Sequence, residues 1–524
     1  MQATPPLSFL WHDYETFGAN PRRDRPAQFA AIRTDADLNE TGEPLMLYCR
    51  PAADALPEPE SCLITGITPQ LCAQRGLPES EFAARVNAAL AEPGTVGVGY
   101  NSIRFDDEVT RHLLWRNLID PYAREWQNGN GRWDLLDVAR CAHALRPEGV
   151  QWPTGEDGLP SFKLEHLAAA NGLAHEAAHD ALSDVRATIA LARLIRQSQP
   201  RLFDFCLALR SKERVAQEMG LPAAVASARP FLHVSGMFGA ARGCIALMAP
   251  LAMHPANKNE VLAWDLMHDP AELAALTPEQ ARQRLFTPAQ ELPEGTPRLP
   301  VKGVHLNKAP IVIAALKTLR PEQARQWGID FAQAQTHLER LRALPDLSAL
   351  WQQVYARPEA AAVDVDEDLY GGFTTAAAWT SCAAPSSPAA ASRPACPALT
   401  TRACTSWSGA GAPATAPKAS RPTSSAAGAN TARHACCTAR TARSPCKATS
   451  TASTRWRKRA KTNARKTSSA RSTNGAKCWA KGWMKRPDQR SPHRLSLLSA
   501  HPASSPQRTP PPAPARNACV RRQS

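Results

Sequence analysis

The chain changes its alphabet at residue 374. From Thr374 to Ser524 there is no Phe, Tyr, Ile or Glu, and Val occurs only at Val520. A stretch with neither the helical nor the strand period of apolar residues buries too little surface to offset its ordering entropy, so 374–524 is expected to be low-complexity and disordered. Charge divides at the same place. Residues 374–524 hold 26 Lys and Arg against a single acid, Asp488, a net +25; residues 1–373 hold 36 basic and 46 acidic residues, a net −10. The overall +15 therefore describes neither part. Two origins compete for the basic part. The run RWRKRAK (455–461) suits a tail on nucleic acid. The bias to Ala, Arg, Pro, Ser, Thr, Cys and Trp suits a GC-rich gene read out of frame, and the abrupt boundary and unpatterned cysteines favour this second origin.

Structure must therefore come from the first 373 residues, which are enough for more than one core. Their six cysteines form no C-x-x-C pair, which argues against a structural zinc site and for a reducing cytoplasm. No apolar run approaches the length of a membrane span, and acidic residues come too early for a signal segment, so no membrane partner is expected.

Read in order, the opening run LSFLWHDYETFG (7–18), PAQFAAIR (26–33) and EPLMLY (43–48) are expected strands. LITGITP (63–69) is expected as a loop entering a helix. A helix follows over 79–91, a buried strand over 95–100 and a helix over 104–117 with Val109, Leu113 and Leu114 inward. Helices are expected again over 133–145, 162–170 and 185–197, and Gln199-Pro200 closes the unit. Strands mixed with helices make an α/β domain over about 1–200. Residues 223–250, 260–267 and 299–310 have the short apolar runs of small antiparallel β structure, and helical spacing returns over 321–344.

The chemistry sits on acids. Asp13 and Glu15 stand two apart at the end of the first strand, so they share a face, and like charges held together are tolerated when a cation lies between them. Such a pair can equally be a solvated strand edge. Asp106 and Asp107 open a helix, where they can cap free amides instead. His179 precedes Asp184 by five residues; with Asp180 as N-cap, His179 lies on a loop, free to move over a centre that Asp184 helps to hold. Four acids at one sheet edge would suit two Mg²⁺ ions about 3.5–4 Å apart, and a histidine can take the proton of an attacking water.

This ordered set, D-x-E, an Asp after Y-N-x-x-x-F, and H-x4-D, resembles the histidine subgroup of the 3′–5′ exonucleases with the DnaQ-like (RNase H-like) fold. The runs HDYETFG (12–18), LITGITPQ (63–70), GYNSIRFDDEVTR (99–111), RWDLLDVAR (132–140), DGLPSFKLEHL (157–167) and HVSGMFGAARG (233–243) are similar to bacterial exodeoxyribonuclease I, and the resemblance runs from about residue 8 to Phe373. It implies Asp13, Glu15, Asp106 and Asp184 as metal ligands with Mg²⁺, or Mn²⁺ in its place, and His179 as general base. It also selects Asp106 over Asp107.

The resemblance further implies an exonuclease domain (1–200), an SH3-like β-barrel domain (201–350) and the start of a helical domain (351–373). Glu15, Thr16, Phe17 and Lys163 would meet the terminal nucleotide, and Arg111, Tyr122, Trp126, Arg140 and Lys212 the rest of the strand. Cations suit phosphates and aromatics stack on bases. Lys163 stands where the motif has Arg, keeping the charge without the bidentate fork. The helical domain that should follow LYGGF (369–373) is not legible. The implied activity is Mg²⁺-dependent 3′→5′ removal of 5′-mononucleotides from single-stranded DNA in repair and recombination, by a cytoplasmic monomer that also meets single-stranded-DNA-binding protein. The alternative is a non-catalytic binder of single strands.

Overall fold

Strands β1 (Ser8–Thr16), β2 (Pro26–Thr34), β3 (Leu45–Tyr48), β4 (Thr95–Gly99) and β5 (Gly131–Asp134) form the first sheet in the order β3-β2-β1-β4-β5. The computed structural model describes residues 6–174, 181–222, 224–356 and 363–371, all within one compact unit. β1 pairs antiparallel with β2 and β2 with β3, whereas β4 runs parallel to β1 and β5 to β4. This is the RNase H-like arrangement. Helices α1 (Pro59–Thr65), α2 (Pro69–Arg75), α3 (Glu79–Ala91), α4 (Asp106–Arg116), α5 (Leu135–Leu145), α6 (Leu164–Ala170), α7 (Ala181–Ser198), α8 (Pro200–Ala208) and α9 (Lys212–Glu218) surround it.

The second sheet is antiparallel, as an SH3-like barrel requires. Its strands are β6 (Phe231–Val234), β7 (Ile245–Met253), β8 (Glu260–Asp265), β9 (Val301–His305) and β10 (Ile311–Ile313), in the order β10-β6-β7-β8-β9. Helices α10 (Pro278–Phe286), α11 (Pro321–Gln326), α12 (Phe331–Arg342) and α13 (Ser348–Val354) accompany it. No described helix is long and apolar enough to cross a membrane.

Several expected elements shift for local reasons. The helix expected from 133 begins at 135, because Trp133 and Asp134 belong to β5 and the Asp134 side chain caps the Leu136 amide. Within 63–69, α1 ends at Gly66, whose φ of 71° suits a residue without Cβ, and Thr68 caps α2. The helical stretch 321–344 is two helices broken at Gly328 (φ 68°), with Asp330 capping the second. Pro200 does not end the packing. It starts α8, where proline's missing N–H costs nothing, and Phe203 meets Trp133 edge-on with ring centroids 5.0 Å apart.

The two sheets share one core. A continuous buried cluster runs from Phe9 and Trp11 through Val138, Ile189 and Phe203 to Phe231, Trp264, Trp327 and Trp351. Trp327 reaches back to donate its indole N–H to the Ala144 carbonyl (3.1 Å), and Arg132 donates to the Asn307 carbonyl (2.7 Å). The expectations for His179, Asp180 and residues 374–524 lie outside the described residues.

Candidate active site

The faces of β1 sort its side chains. Phe9 and Trp11 enter the large core, whereas Leu10 and Tyr14 join a second cluster with Phe29, Leu113 and Leu114. Asp13 and Glu15 continue the first series, so strand alternation turns both toward the side of α7. The pairing of β1 with β4 stops at Trp11–Val98, yet β1 runs on to Thr16, and its register with β2 shifts between Glu15 and Thr16. The two acids thus project where a parallel pair has ended and a bulge re-aims the strand. In open α/β sheets ligands bind at the carboxyl ends of the strands.

Helix α7 packs on β1 and β2 and carries Asp184 in its first turn. Ligand oxygens of Asp13, Glu15 and Asp184 all lie within 4.8 Å of one another. Among the described residues this is the group able to share a metal ion. An all-carboxylate donor set is hard and anionic, which fits Mg²⁺ or Mn²⁺.

Asp106 is outside that trio but is tied to the same strand. The Tyr14 amide, between Asp13 and Glu15, donates to Asp106 Oδ1 at 3.0 Å. The capping role open to Asp106 and Asp107 is not what the structure shows: Phe105 is the N-cap of α4, and no side chain caps the helix. Asp107 is buried between two guanidiniums, with Arg124 at 2.8 Å and Arg132 at 3.0 Å. Burial opposes its ionisation, but Arg132, Arg124 and Arg111 more than offset this and hold its carboxyl below the usual range. Glu125 extends the network to Arg132 (3.0 Å) and, bidentately, to Arg111 (2.7 and 2.9 Å).

The network also takes in Arg111, expected to meet the strand. Arg111 is buried and engaged by Glu125, Glu108 and the Tyr370 hydroxyl, so its guanidinium is a structural junction. Phe17, expected as part of the wall for a terminal nucleotide, is 4% exposed and packs with Ala27, Ile67 and Cys72. Thr16 is buried and donates its hydroxyl to the Gly18 carbonyl (2.7 Å).

Trp126 is the opposite case, 67% exposed and available to stack. Tyr122 is half-buried under the Arg111 guanidinium, 5.3 Å from the ring centroid. Lys163 precedes α6, beside Phe162, whose carbonyl accepts the Tyr100 hydroxyl at 2.6 Å. Arg140 pairs with Asp137 (2.6 Å), and its guanidinium lies against Gly236 of HVSGMFG. Lys212 Nζ donates to Asn259 Oδ1 (2.6 Å).

Two cations missed in the sequence come from the second sheet. Lys302 on β9 is pushed down to about 8 by burial and by Arg104, and Lys308 is lowered by burial while facing Glu108. The VKGVHLNK stretch carries both lysines, but nothing in it says that they come near Arg104, Asp137 and Glu108.

Residues 10–192 match the family model described as Exonuclease, and residues 210–357 match that of the Exonuclease I SH3-like domain. Exodeoxyribonuclease I of Escherichia coli (strain K12) is 49% identical over 368 residues, 70% of this chain and 76% of that protein. The chain belongs to the exodeoxyribonuclease I family. It is thus an exonuclease and a hydrolase, and the non-catalytic reading is not favoured. Among solved structures of the family, E. coli exonuclease I in complex with a dA16 oligonucleotide is 47% identical, with a TM-score of 0.67 over 72% of this chain and 80% of that one. An ExoI/SSB-Ct complex is equally similar, at 47% identity and a TM-score of 0.67 over 72% and 79%.

Proposed function

We propose that this exodeoxyribonuclease I family member removes 5′-mononucleotides from the 3′ end of single-stranded DNA by metal-assisted hydrolysis. The observation that carries the reading is the convergence of Asp13, Glu15 and Asp184 oxygens within 4.8 Å at the end of β1. These residues, with Asp106 beside them on the Tyr14 amide, would hold two divalent cations, Mg²⁺ or Mn²⁺. Bound there, the cations supply activation of the attacking water and neutralisation of charge at the leaving oxygen. His179 is the proposed acceptor of the water's proton.

The chain's remaining contributions are binding and orientation. Trp126 offers a face on which a base stacks without being read, and Lys163, Lys212, Lys302 and Arg140 supply positive charge for phosphates. Glu15 and Thr16 stand next to where a terminal nucleotide must enter. The family complexes with an oligonucleotide and with SSB-Ct support single-stranded DNA and single-stranded-DNA-binding protein as partners; a role in repair and recombination, as a cytoplasmic monomer, belongs to the same proposal.

The test is release of labelled nucleotide from a 3′-labelled single strand with Mg²⁺. Release that is abolished by EDTA and in Asp13→Ala supports the reading; release that persists unchanged in Asp13→Ala overturns it.

A further inference from the structure

Residues 363–371 lie beyond both family-model matches, which end at 192 and 357, yet they pack back onto the helices of the first sheet. Trp115 donates its indole N–H to the Val365 carbonyl (2.9 Å). The Tyr370 hydroxyl donates to Glu108 Oε2 (2.6 Å) and accepts from Arg111 (3.2 Å), while its ring meets His112 edge-on at 5.8 Å. Glu108, Arg111, His112 and Trp115 are three or four residues apart along α4, so the segment occupies one face of that helix.

Its other contacts reach the loop that continues from β1. Asp366 pairs with Arg25 at 2.7 Å, Arg22 lies 5.3 Å over the Tyr370 ring, and the Arg25 carbonyl accepts the Phe17 amide at 2.9 Å. Leu369 is 3% exposed, so the segment is seated by apolar burial as well. One short stretch therefore joins the two elements that flank the carboxylates. One is α4, whose first residue is Asp106; the other is the 17–25 loop just past Glu15.

We propose that residues 363–371 form a clip that holds the Asp106 end of α4 against β1, with Tyr370 as a positioning residue. A helix transmits a small displacement along its axis, and the Tyr370 hydroxyl fixes the Glu108–Arg111 pair one turn from Asp106. Misplacing a catalytic group by about 1 Å is costly, so a contact well away from the reacting atoms can set their geometry. The proposal rests on the reading of Asp106 as a member of the hydrolytic site.

The test uses full-length Tyr370→Phe, Glu108→Gln and the double variant. Phe keeps the ring contacts with Arg22 and His112 and removes the hydrogen bonds alone. In metal-free protein, amide hydrogen exchange over Val109–Leu113 is expected to speed up by about tenfold, the loss of one hydrogen bond to a charged group. The Mg²⁺ concentration for half-maximal nucleotide release should rise by about three- to tenfold, with the double variant no worse than Tyr370→Phe. Unchanged exchange, an unchanged Mg²⁺ requirement, or additive effects in the double variant would overturn the clip. If the unsubstituted chain releases no nucleotide, the proposed function fails, whereas the exchange experiment still reports on the clip itself.

Discussion

Tyr14 donates its backbone N–H to Asp106 Oδ1 at 3.0 Å, beyond the point where β1 has lost β4 as a partner. A helix carboxylate thereby takes the place of a strand. The amide it satisfies lies between Asp13 and Glu15, so one bond both pairs a donor of β1 and brings a fourth acid to the edge that carries the carboxylate trio.

Asp106 and Asp107 should separate cleanly when substituted. Asp106→Asn retains an acceptor for Tyr14 and loses charge, so nucleotide release should fall by about 10³-fold, equivalent to several kcal/mol of lost transition-state stabilisation, with little change in the urea midpoint. Asp107→Asn removes the buried charge that Arg124 and Arg132 share, leaving Glu125 as their remaining acid partner, and should cost roughly 3–5 kcal/mol of stability. The paired readout is urea unfolding against turnover per folded molecule; a stability loss in Asp106→Asn alone would reverse the assignment.

Strand contact should track exposure. Trp126→Ala is expected to weaken single-strand binding in EDTA by about 1–3 kcal/mol, the worth of one stacked base, without moving the melting temperature. Arg111→Ala should do the reverse, because its guanidinium is spent on Glu125 and Glu108. Fluorescence anisotropy on a labelled oligonucleotide, read beside thermal melts, distinguishes the two.

Gly99→Ala should strain the end of β4. A Cβ there would lie 2.9 Å from the His12 carbonyl oxygen and 2.7 Å from Ser102 Cβ, forcing the strand from β1 one residue before Asp13. Overpacking of this kind costs typically about 1–3 kcal/mol. Denaturant unfolding measures it, and full stability in the variant would show that the strands separate freely.

Stability should fall on the alkaline side of one buried acid. Burial and the neighbouring Asp137 raise the Asp134 carboxyl to about 6, so the folded state binds the proton more tightly than the unfolded chain. The resulting stabilisation is present below the ordinary carboxylate range and is lost as pH rises through about 6. Asp134→Asn should flatten the stability profile between about pH 4 and 6. A slope identical to that of the unsubstituted chain would remove Asp134 as its source. Asp107 has the opposite sign: its pairing contributes at neutral pH and is lost in acid.

Much of the site was legible because strand alternation is local. Two acids at i and i+2 share a face wherever the strand lies, and β1 spans both, as LSFLWHDYET implied. Asp184 and the Asp106–Asp107 pair were candidates from their own local contexts, and the motif resemblance selected Asp106 over Asp107, a choice no local pattern could make. The partners of Arg111 were not legible, because its type says only cation, whereas it is engaged by Glu125, fourteen residues away, and by Tyr370, still further along the chain. The burial of Phe17 was not legible for the same reason, since it comes from Ile67 and Cys72.

The sequence by itself determined the carboxylate spacing on β1, which follows from backbone geometry alone. Tertiary structure decided which of two adjacent aspartates meets β1. Asp106 found an amide left open by the end of β4, and Asp107 found two buried arginines. It also decided that the two sheets share one core and that residues 363–371 return to α4. Such choices turn on burial and on partners distant in the chain, which no local pattern of residues encodes.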